Sequence, residues 1–220
     1  MRVRVLALLA FLICFALLGD SAWADSIPVT NGSFEATNPF TVGCGVGCAY
    51  NNGPIPGWIT TAQSGSFEPG SYFSTPPPDG SIVGYTNGGT LSQDLGVGLT
   101  ADTLYTLRVF VGDRVDGISG NYTIELLDGS NVLCSYSGSS AAIPVGTFAD
   151  EACSFSTGSS APLGDITVLL SGGSVQGDFD DVTVTTPEPA SAALLGMGLF
   201  VVALVAGLYK RKNGFHSVAS

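Results

Sequence analysis

Along residues 25–186 the apolar positions come in short runs that alternate with polar ones at period two, the pattern of a strand that buries one face. Residues 104–111 show it best, with Tyr105, Leu107, Val109 and Val111 on one side and Arg108 on the other. Residues 122–127 repeat it, with Tyr122, Ile124 and Leu126 set against Thr123 and Glu125. They run through Asp128-Gly129, a hairpin signal, into a further strand at 132–136. The same reading predicts strands at 29–34, 58–61, 82–86, 91–95, 147–155, 166–170 and 179–185. Turn residues separate these runs and no amphipathic helix intervenes, so the expected fold is all-β, two antiparallel sheets packed as a sandwich. Pro76-Pro77-Pro78 interrupts any regular element and marks an exposed loop.

The two ends break the pattern. Arg2 and Arg4 precede an unbroken apolar run over 5–18, and Ala22-Trp23-Ala24 follows, the order of a secretory signal peptide occupying 1–24 and cleaved after Ala24. At the other end the apolar run 190–208 would form a helix of roughly 28 Å, enough to cross a bilayer. It has no polar face and contains Gly196, Gly198 and Gly207, which suit a membrane helix better than a soluble one. Lys210-Arg211-Lys212 then place the tail 213–220 in the cytoplasm and residues 25–186 outside.

Charge and cysteine content narrow the central segment further. It holds two arginines, Arg108 and Arg114, against sixteen carboxylates, a net charge of −14, with no lysine or histidine. Such a surface repels nucleic acid, so a nucleic-acid partner is excluded. Cys14 leaves with the signal peptide. Cys44, Cys48, Cys134 and Cys153 remain, an even set that reads as two disulfides in an oxidising compartment. Three pairings are open, and the local one, Cys44 with Cys48 and Cys134 with Cys153, is favoured. A zinc site is a poor alternative, because a Cys-x3-Cys spacing has no histidine to complete it.

Two resemblances follow from these residues. Pro187-Glu188-Pro189, the span 190–208 and the cluster Lys210-Arg211-Lys212 resemble the C-terminal sorting signal of PEP-CTERM proteins, here over residues 187–212. The resemblance implies an exosortase-type membrane protease as partner, transient anchoring in the inner membrane of a Gram-negative bacterium, and release to the cell surface or extracellular space. It also implies an association with exopolysaccharide and biofilm. The tail 213–220 departs from that pattern. Second, Asn31-Gly32-Ser33-Phe34-Glu35, Pro56-Gly57-Trp58, Leu91-Ser92-Gln93-Asp94-Leu95, Tyr105-Thr106-Leu107 and Phe179-Asp180-Asp181-Val182 resemble the galactose-binding-like jelly roll of carbohydrate-binding modules. This resemblance implies neighbouring first and last strands and a structural calcium (Ca2+) where they meet, held by Glu35 and by Asp180 or Asp181. Calcium takes six to eight oxygens, which carboxylates and turn carbonyls can supply.

Sugar binding needs aromatic faces and side-chain amides, and Tyr50, Tyr72, Tyr85, Asn87 and Gln93 are the candidates, with Phe73, Asn51 and Asn52 nearby. Trp58, Tyr105 and Tyr122 read as core. His216 lies beyond the apolar span, so no Ser-His-Asp or Cys-His set can form within 25–186. The expectation is a non-enzymatic surface or matrix protein whose sandwich is a structural or glycan-binding module. The alternative is a glycosidase using two carboxylates from among Glu35, Glu68, Glu125 and Glu151, whose spacing carries no signature.

Overall fold

A computed structural model describes residues 24–61 and 63–187. The expected signal peptide, the Pro-Glu-Pro motif, the span 190–208, the basic cluster and the tail lie outside the described residues, apart from Ala24 and Pro187 at their edges. No helix among the described residues is long and apolar enough to cross a membrane.

The chain forms β1 (Ala24–Ile27), β2 (Val42–Gly45), β3 (Cys48–Asn52), β4 (Ile59–Thr60), β5 (Ser64–Pro69), β6 (Val83–Thr86), β7 (Thr90–Gly98), β8 (Leu104–Gly112), β9 (Asn121–Asp128), β10 (Asn131–Ser139), β11 (Phe148–Ser156), β12 (Asp165–Gly172) and β13 (Gly177–Pro187). A short 3-10 turn at Ser140–Ala142 is the only helical element among the described residues. The larger sheet runs β11-β8-β13-β6-β5-β3-β2, with β1 also on β13, and the smaller runs β10-β9-β12-β7-β4. The registered ladders are antiparallel, so the fold is the expected all-β antiparallel sandwich.

Period two explains how the sheets meet. Leu107, Val109 and Val111 of β8, Ile124 and Leu126 of β9, and Ile166, Val168 and Leu170 of β12 are all fully buried in one core with Leu91, Phe179 and Val184. Each such side chain contributes about 1.5–3 kcal/mol on leaving water. Trp58, Tyr105 and Tyr122 belong to that core, as expected. Trp58 packs on Phe34 with ring centroids 5.2 Å apart, and its indole N–H donates to the Asn31 carbonyl at 3.0 Å.

The structure departs from the sequence reading at several places. Residues 29–34 are a turn, not a strand: Asn31 and Phe34 adopt left-handed φ of 53° and 60°. The Asn31 side chain accepts from the Ala36 amide and donates to the Ala36 and Pro56 carbonyls, replacing ladder bonds with an Asx-type knot. The strand expected at 58–61 shrinks to the two residues of β4. Strands β2, β3 and β5 were not expected, because Gly, Cys, Asn and Ser supply no apolar alternation. Both disulfides adopt the favoured pairing. Cys44–Cys48 closes the β2–β3 hairpin, and Cys134–Cys153 ties β10 to β11, the edge strands of the two sheets, closing one side of the sandwich.

Strand β13 contains the irregularity that matters most. Its register against β8 runs Asp178 to Gly112, Phe179 to Val111 and Asp180 to Phe110, then skips to Thr183 opposite Arg108. One extra residue is accommodated there as a β-bulge, with Asp181 at φ 44°. Phe179, Val182 and Val184 consequently all reach the core although their spacing is not even.

Candidate active site

The alternation that feeds the core also builds an outer surface on the larger sheet. On β6 a Cβ at Gly84 would meet Phe34 and Leu91 of the core, whereas Val83 and Tyr85 join a second cluster with Cys48, Phe67 and Phe73. Tyr50, Tyr72 and Phe148 pack against it. Within this layer lies a cavity of about 500 Å³ lined by Cys44, Tyr50, Asn52, Gln63, Phe67, Tyr72, Tyr85, Asn87, Arg114, Ile118 and Gln176. That volume falls in the range of small-molecule sites.

Its aromatic wall is fixed by edge contacts and hydrogen bonds. Tyr85 meets Tyr50 and Phe67 edge to face, with centroids 6.1 and 6.4 Å apart. The Tyr85 hydroxyl donates to Asn52 Oδ1 at 2.8 Å and lies 3.1 Å from the Asn51 carbonyl. Burial first, then Tyr50 and Asp178, push its pKa up to about 12, so it stays a neutral phenol. Tyr72 donates to the Cys44 carbonyl at 3.2 Å, which ties the wall to the disulfide-closed hairpin. Arg114 stacks on Tyr72 and Phe67, its guanidinium carbon 4.2 and 5.2 Å from the ring centres. It also donates from Nε and Nη2 to the two oxygens of Asp116, at 3.1 and 2.7 Å.

Behind this wall sits Asp178, on β13 and directly opposite Tyr85. Its side chain is buried, and Gln176, which lines the cavity, donates from Nε2 to Asp178 Oδ1 at 2.7 Å. Desolvation pushes the Asp178 pKa up to about 6, against the Gln176 hydrogen bond and the charge of Arg114; Asp116 and Asp113 add to the rise. A carboxyl poised near neutrality beside an aromatic-walled cavity is suited to giving and taking a proton.

The sequence candidates divide accordingly. Tyr50, Tyr72, Tyr85 and Asn87 converge on the cavity. Gln93 does not. It is buried under the 30–57 turn, where its amide accepts from Thr30 N at 2.7 Å and donates to the Thr30 and Gly57 carbonyls at 2.8 and 2.9 Å. Glu35 and Asp180 meet at another place, the loop 79–82. Glu35 Oε1 accepts from Ser81 N and Ile82 N, both at 2.7 Å, and Asp180 accepts from Asp79 N at 2.9 Å and Asp181 N at 2.8 Å. The bulge changes the expected alternation of Asp180 and Asp181: Asp180 is fully buried and Asp181 only half-buried. Burial drives the Asp180 pKa up to about 7. Among the described residues no group of three or more histidine, cysteine or carboxylate side chains is arranged to hold a metal ion. Of the glutamates considered for a carboxylate pair, Glu151 accepts from the Tyr122 hydroxyl at 2.7 Å, Glu35 is committed to its loop, and none lines the cavity.

Sequence reasoning missed Asp178, Arg114 and Gln176. Arg114 carried a usable signal, being one of only two cations in an acidic segment. Asp178 carried none, since its distinction is burial at an otherwise exposed-looking position of a strand.

A sandwich with an aromatic cavity on the outer face of its larger sheet and a buried acid behind it offers a candidate small-molecule site. The chain belongs to the HpiC1-like family, described as HpiC1 cyclase, whose model matches residues 25–185. It is similar to a crystal structure of a cyclase from Fischerella sp. TAU at 27% identity and TM-score 0.60, covering 74% of this chain and 97% of that one. A cyclase from the same organism in complex with 4-(1H-indol-3-yl)butan-2-one is similar in fold at 24% identity and TM-score 0.61, covering 76% and 100%. So is Fisc, a Stig cyclase in complex with (3Z)-3-(1-methyl-2-pyrrolidinylidene)-3H-indole, at 23% identity and TM-score 0.59, covering 76% and 100%. No curated protein matches the chain. The family overturns the expectation of a non-enzymatic surface or matrix module for exopolysaccharide, because it is a family of cyclases. It also leaves the glycosidase alternative without support.

Proposed function

We propose that residues 25–186 form a cyclase that closes a ring in an aromatic small molecule, with Asp178 as the proton donor. The observation that carries this reading is the buried Asp178 carboxyl, one hydrogen bond behind an aromatic cavity of about 500 Å³. Displacement of the Gln176 amide by substrate opens Asp178 to the cavity. The acid then gives its proton to an alkene or imine of the substrate, an internal π bond attacks the resulting cation, and the Asp178 carboxylate takes back a proton from the adjacent carbon. Product and substrate have the same mass, and no oxidant is required. Tyr50, Phe67, Tyr72 and Tyr85 offer their π faces to the developing cation.

An indole is the natural first probe, since two similar proteins hold indoles. Incubating the protein with a 3-alkenylindole in D2O should give a ring-closed product of unchanged composition apart from incorporated deuterium, and Asp178→Asn should abolish it. Equal turnover by Asp178→Asn would remove Asp178 from the reaction.

The sandwich connectivity we read as a jelly roll. Calcium we propose only as a structural ion at Glu35, Asp180 and Asp181. What supports it is that Glu35 and the buried Asp180 converge on the same loop, 79–82, with the carboxylates of Asp79 and Asp181 close enough to Asp180 to act on it. A melting temperature that rises with calcium and falls with chelator is expected, and no difference rejects the ion. Export by 1–24 and processing at 187–212 by an exosortase-type protease we propose for this enzyme from its terminal sequences alone. The mass of the mature protein from cells tests both: ends at Asp25 and near Pro189 support them, and ends at Met1 and Ser220 refute them.

A further inference from the structure

We propose that Arg114 seats an uncharged carbonyl oxygen of the aromatic substrate, an assignment that rests on the cavity being a small-molecule site. Arg114 is 7% exposed yet lines the cavity, so the little of it that is free faces the ligand space. Its plane is held on two sides. Nε and Nη2 grip both oxygens of Asp116, and Tyr72 and Phe67 lie against its π face. The next residue is pinned as well, with Val115 N donating to the Tyr72 carbonyl at 3.0 Å, so the guanidinium cannot swing away from the tyrosine. Nη1 is left without a protein acceptor among the described residues. A donor held in a fixed orientation at a cavity wall, with no protein acceptor, is matched to an acceptor on the ligand. The amides of Gln63 and Asn87 can present either end to a ligand, whereas Arg114 can only donate.

The charges around Arg114 select the kind of oxygen. Asp116 already neutralises it, and Asp178 lies near enough to interact with it electrostatically. A ligand carboxylate would meet a guanidinium whose Nε and Nη2 are already paired with both oxygens of Asp116, with no uncompensated cation to offset its charge. A ketone or amide oxygen accepts the Nη1 hydrogen bond without adding charge.

The test is calorimetry on the full chain at pH 8 with three indoles that differ only in the side-chain group: 4-(1H-indol-3-yl)butan-2-one, 3-butylindole and indole-3-butyric acid. The ketone should bind about tenfold or more tightly than the hydrocarbon and more tightly than the acid. Arg114→Met should bring the ketone to within about twofold of the hydrocarbon, both measured on the variant. Equal binding of ketone and hydrocarbon, tighter binding of the acid, or a preference that survives in Arg114→Met overturns the assignment. In each of those cases hydrocarbon binding still supports the aromatic cavity. If none of the three binds the wild-type chain, the cavity reading itself falls. Should Arg114→Met show no cooperative melting transition, the wild-type comparison decides, with Arg114→Lys as the second variant. Arg114→Lys keeps the charge but not the planar donor, and is expected to lose the preference.

Discussion

Replacing Asp178 with asparagine should stabilise the protein at alkaline pH and leave it unchanged in acid. The carboxyl is buried, and its pKa rises from 3.8 to about 6 mainly through desolvation. In the window between those values the folded state keeps a proton that the unfolded chain has released. Wild-type stability therefore falls as pH rises through the window, and the loss is complete above about pH 7. A shift of about two units corresponds to about 3 kcal/mol. Asparagine has the same shape, keeps an oxygen for the Gln176 donor and never ionises, so it escapes this loss. At pH 8 the variant should be up to ~3 kcal/mol more stable, or roughly 6–12 °C higher in Tm for a domain of this size. Near pH 4 the two proteins should coincide. Asp180 titrates in a similar window, but it is present in both proteins and cancels from the difference. Urea unfolding at pH 4 and pH 8 measures the effect. A variant equally stable relative to wild type at both pH values, or less stable at pH 8, would show that the Asp178 charge is already compensated and would remove the physical basis for a poised acid. The same substitution should abolish ring closure, so gain of stability and loss of activity should appear together at pH 8.

Three further outcomes test the scaffold. Gln93→Ala leaves the Thr30 N–H without a protein acceptor and the Thr30 and Gly57 carbonyls without this donor, so urea unfolding should show a loss of about 2–4 kcal/mol while indole binding by calorimetry stays unchanged. Gly84→Ala would place a methyl 2.6 Å from Phe34 Cε1 and 2.9 Å from Leu91 Cδ1, an overpacking that should cost about 1–3 kcal/mol in the same assay. Replacing both Cys134 and Cys153 with serine removes the bond between the two edge strands and should cost about 3 kcal/mol, with a Tm drop of roughly 6–12 °C by calorimetry.

How far the fold was legible depended on whether a strand buries one face in the main core. Strands β8, β9 and β12 do, and their alternation of Leu, Ile and Val against polar residues announces them. Strands β3 and β5 pair through Cys48–Asn52 and Ser64–Pro69, where the packed side chains are Tyr50 and Phe67 on the outer face and Asn51 and Ser66 on the other. Neither shows an aliphatic stripe, so periodicity could not find them. The turn at 29–34 failed in the opposite sense. Val29 and Phe34 look like strand residues, but Asn31 ties the chain into a left-handed turn that carries Phe34 into the core.

The site was legible in its wall and not in its chemistry. An aromatic residue in a loop or on an unassigned strand is conspicuous, and Tyr50, Tyr72 and Tyr85 do share a cavity. A wall of this kind suits the stacking of a sugar as well as the stabilising of a cation, so it cannot decide between binding and catalysis. That difference lies in one carboxyl among three in Gly177-Asp178-Phe179-Asp180-Asp181. As sequence, Asp180 and Asp181 belong to the closing motif Phe179-Asp180-Asp181-Val182, and Asp178 stands just before it with nothing to single it out. In the fold, Asp178 lies opposite Tyr85 before the bulge, with Gln176 on its oxygen. Asp180 lies two residues on, clasping the 79–82 loop through backbone N–H groups, and Asp181 occupies the bulge itself. The two buried acids have raised pKa values through the same cause, desolvation, but only Asp178 has a cavity-lining side chain as its hydrogen-bond partner. Proximity to ligand space, rather than the pKa alone, makes Asp178 a proton donor and leaves Asp180 a fastener. If that is right, Asp180→Asn should show the same direction of pH dependence as Asp178→Asn, a relative gain of about 4 kcal/mol between pH 4 and pH 8 for a shift of about three units. That gain is set on a pH-independent loss, because asparagine keeps one acceptor oxygen for the two backbone N–H groups, while ring closure should stay at the wild-type rate. Loss of turnover in a folded Asp180→Asn protein would show that the two acids cannot be separated by their distance from the cavity.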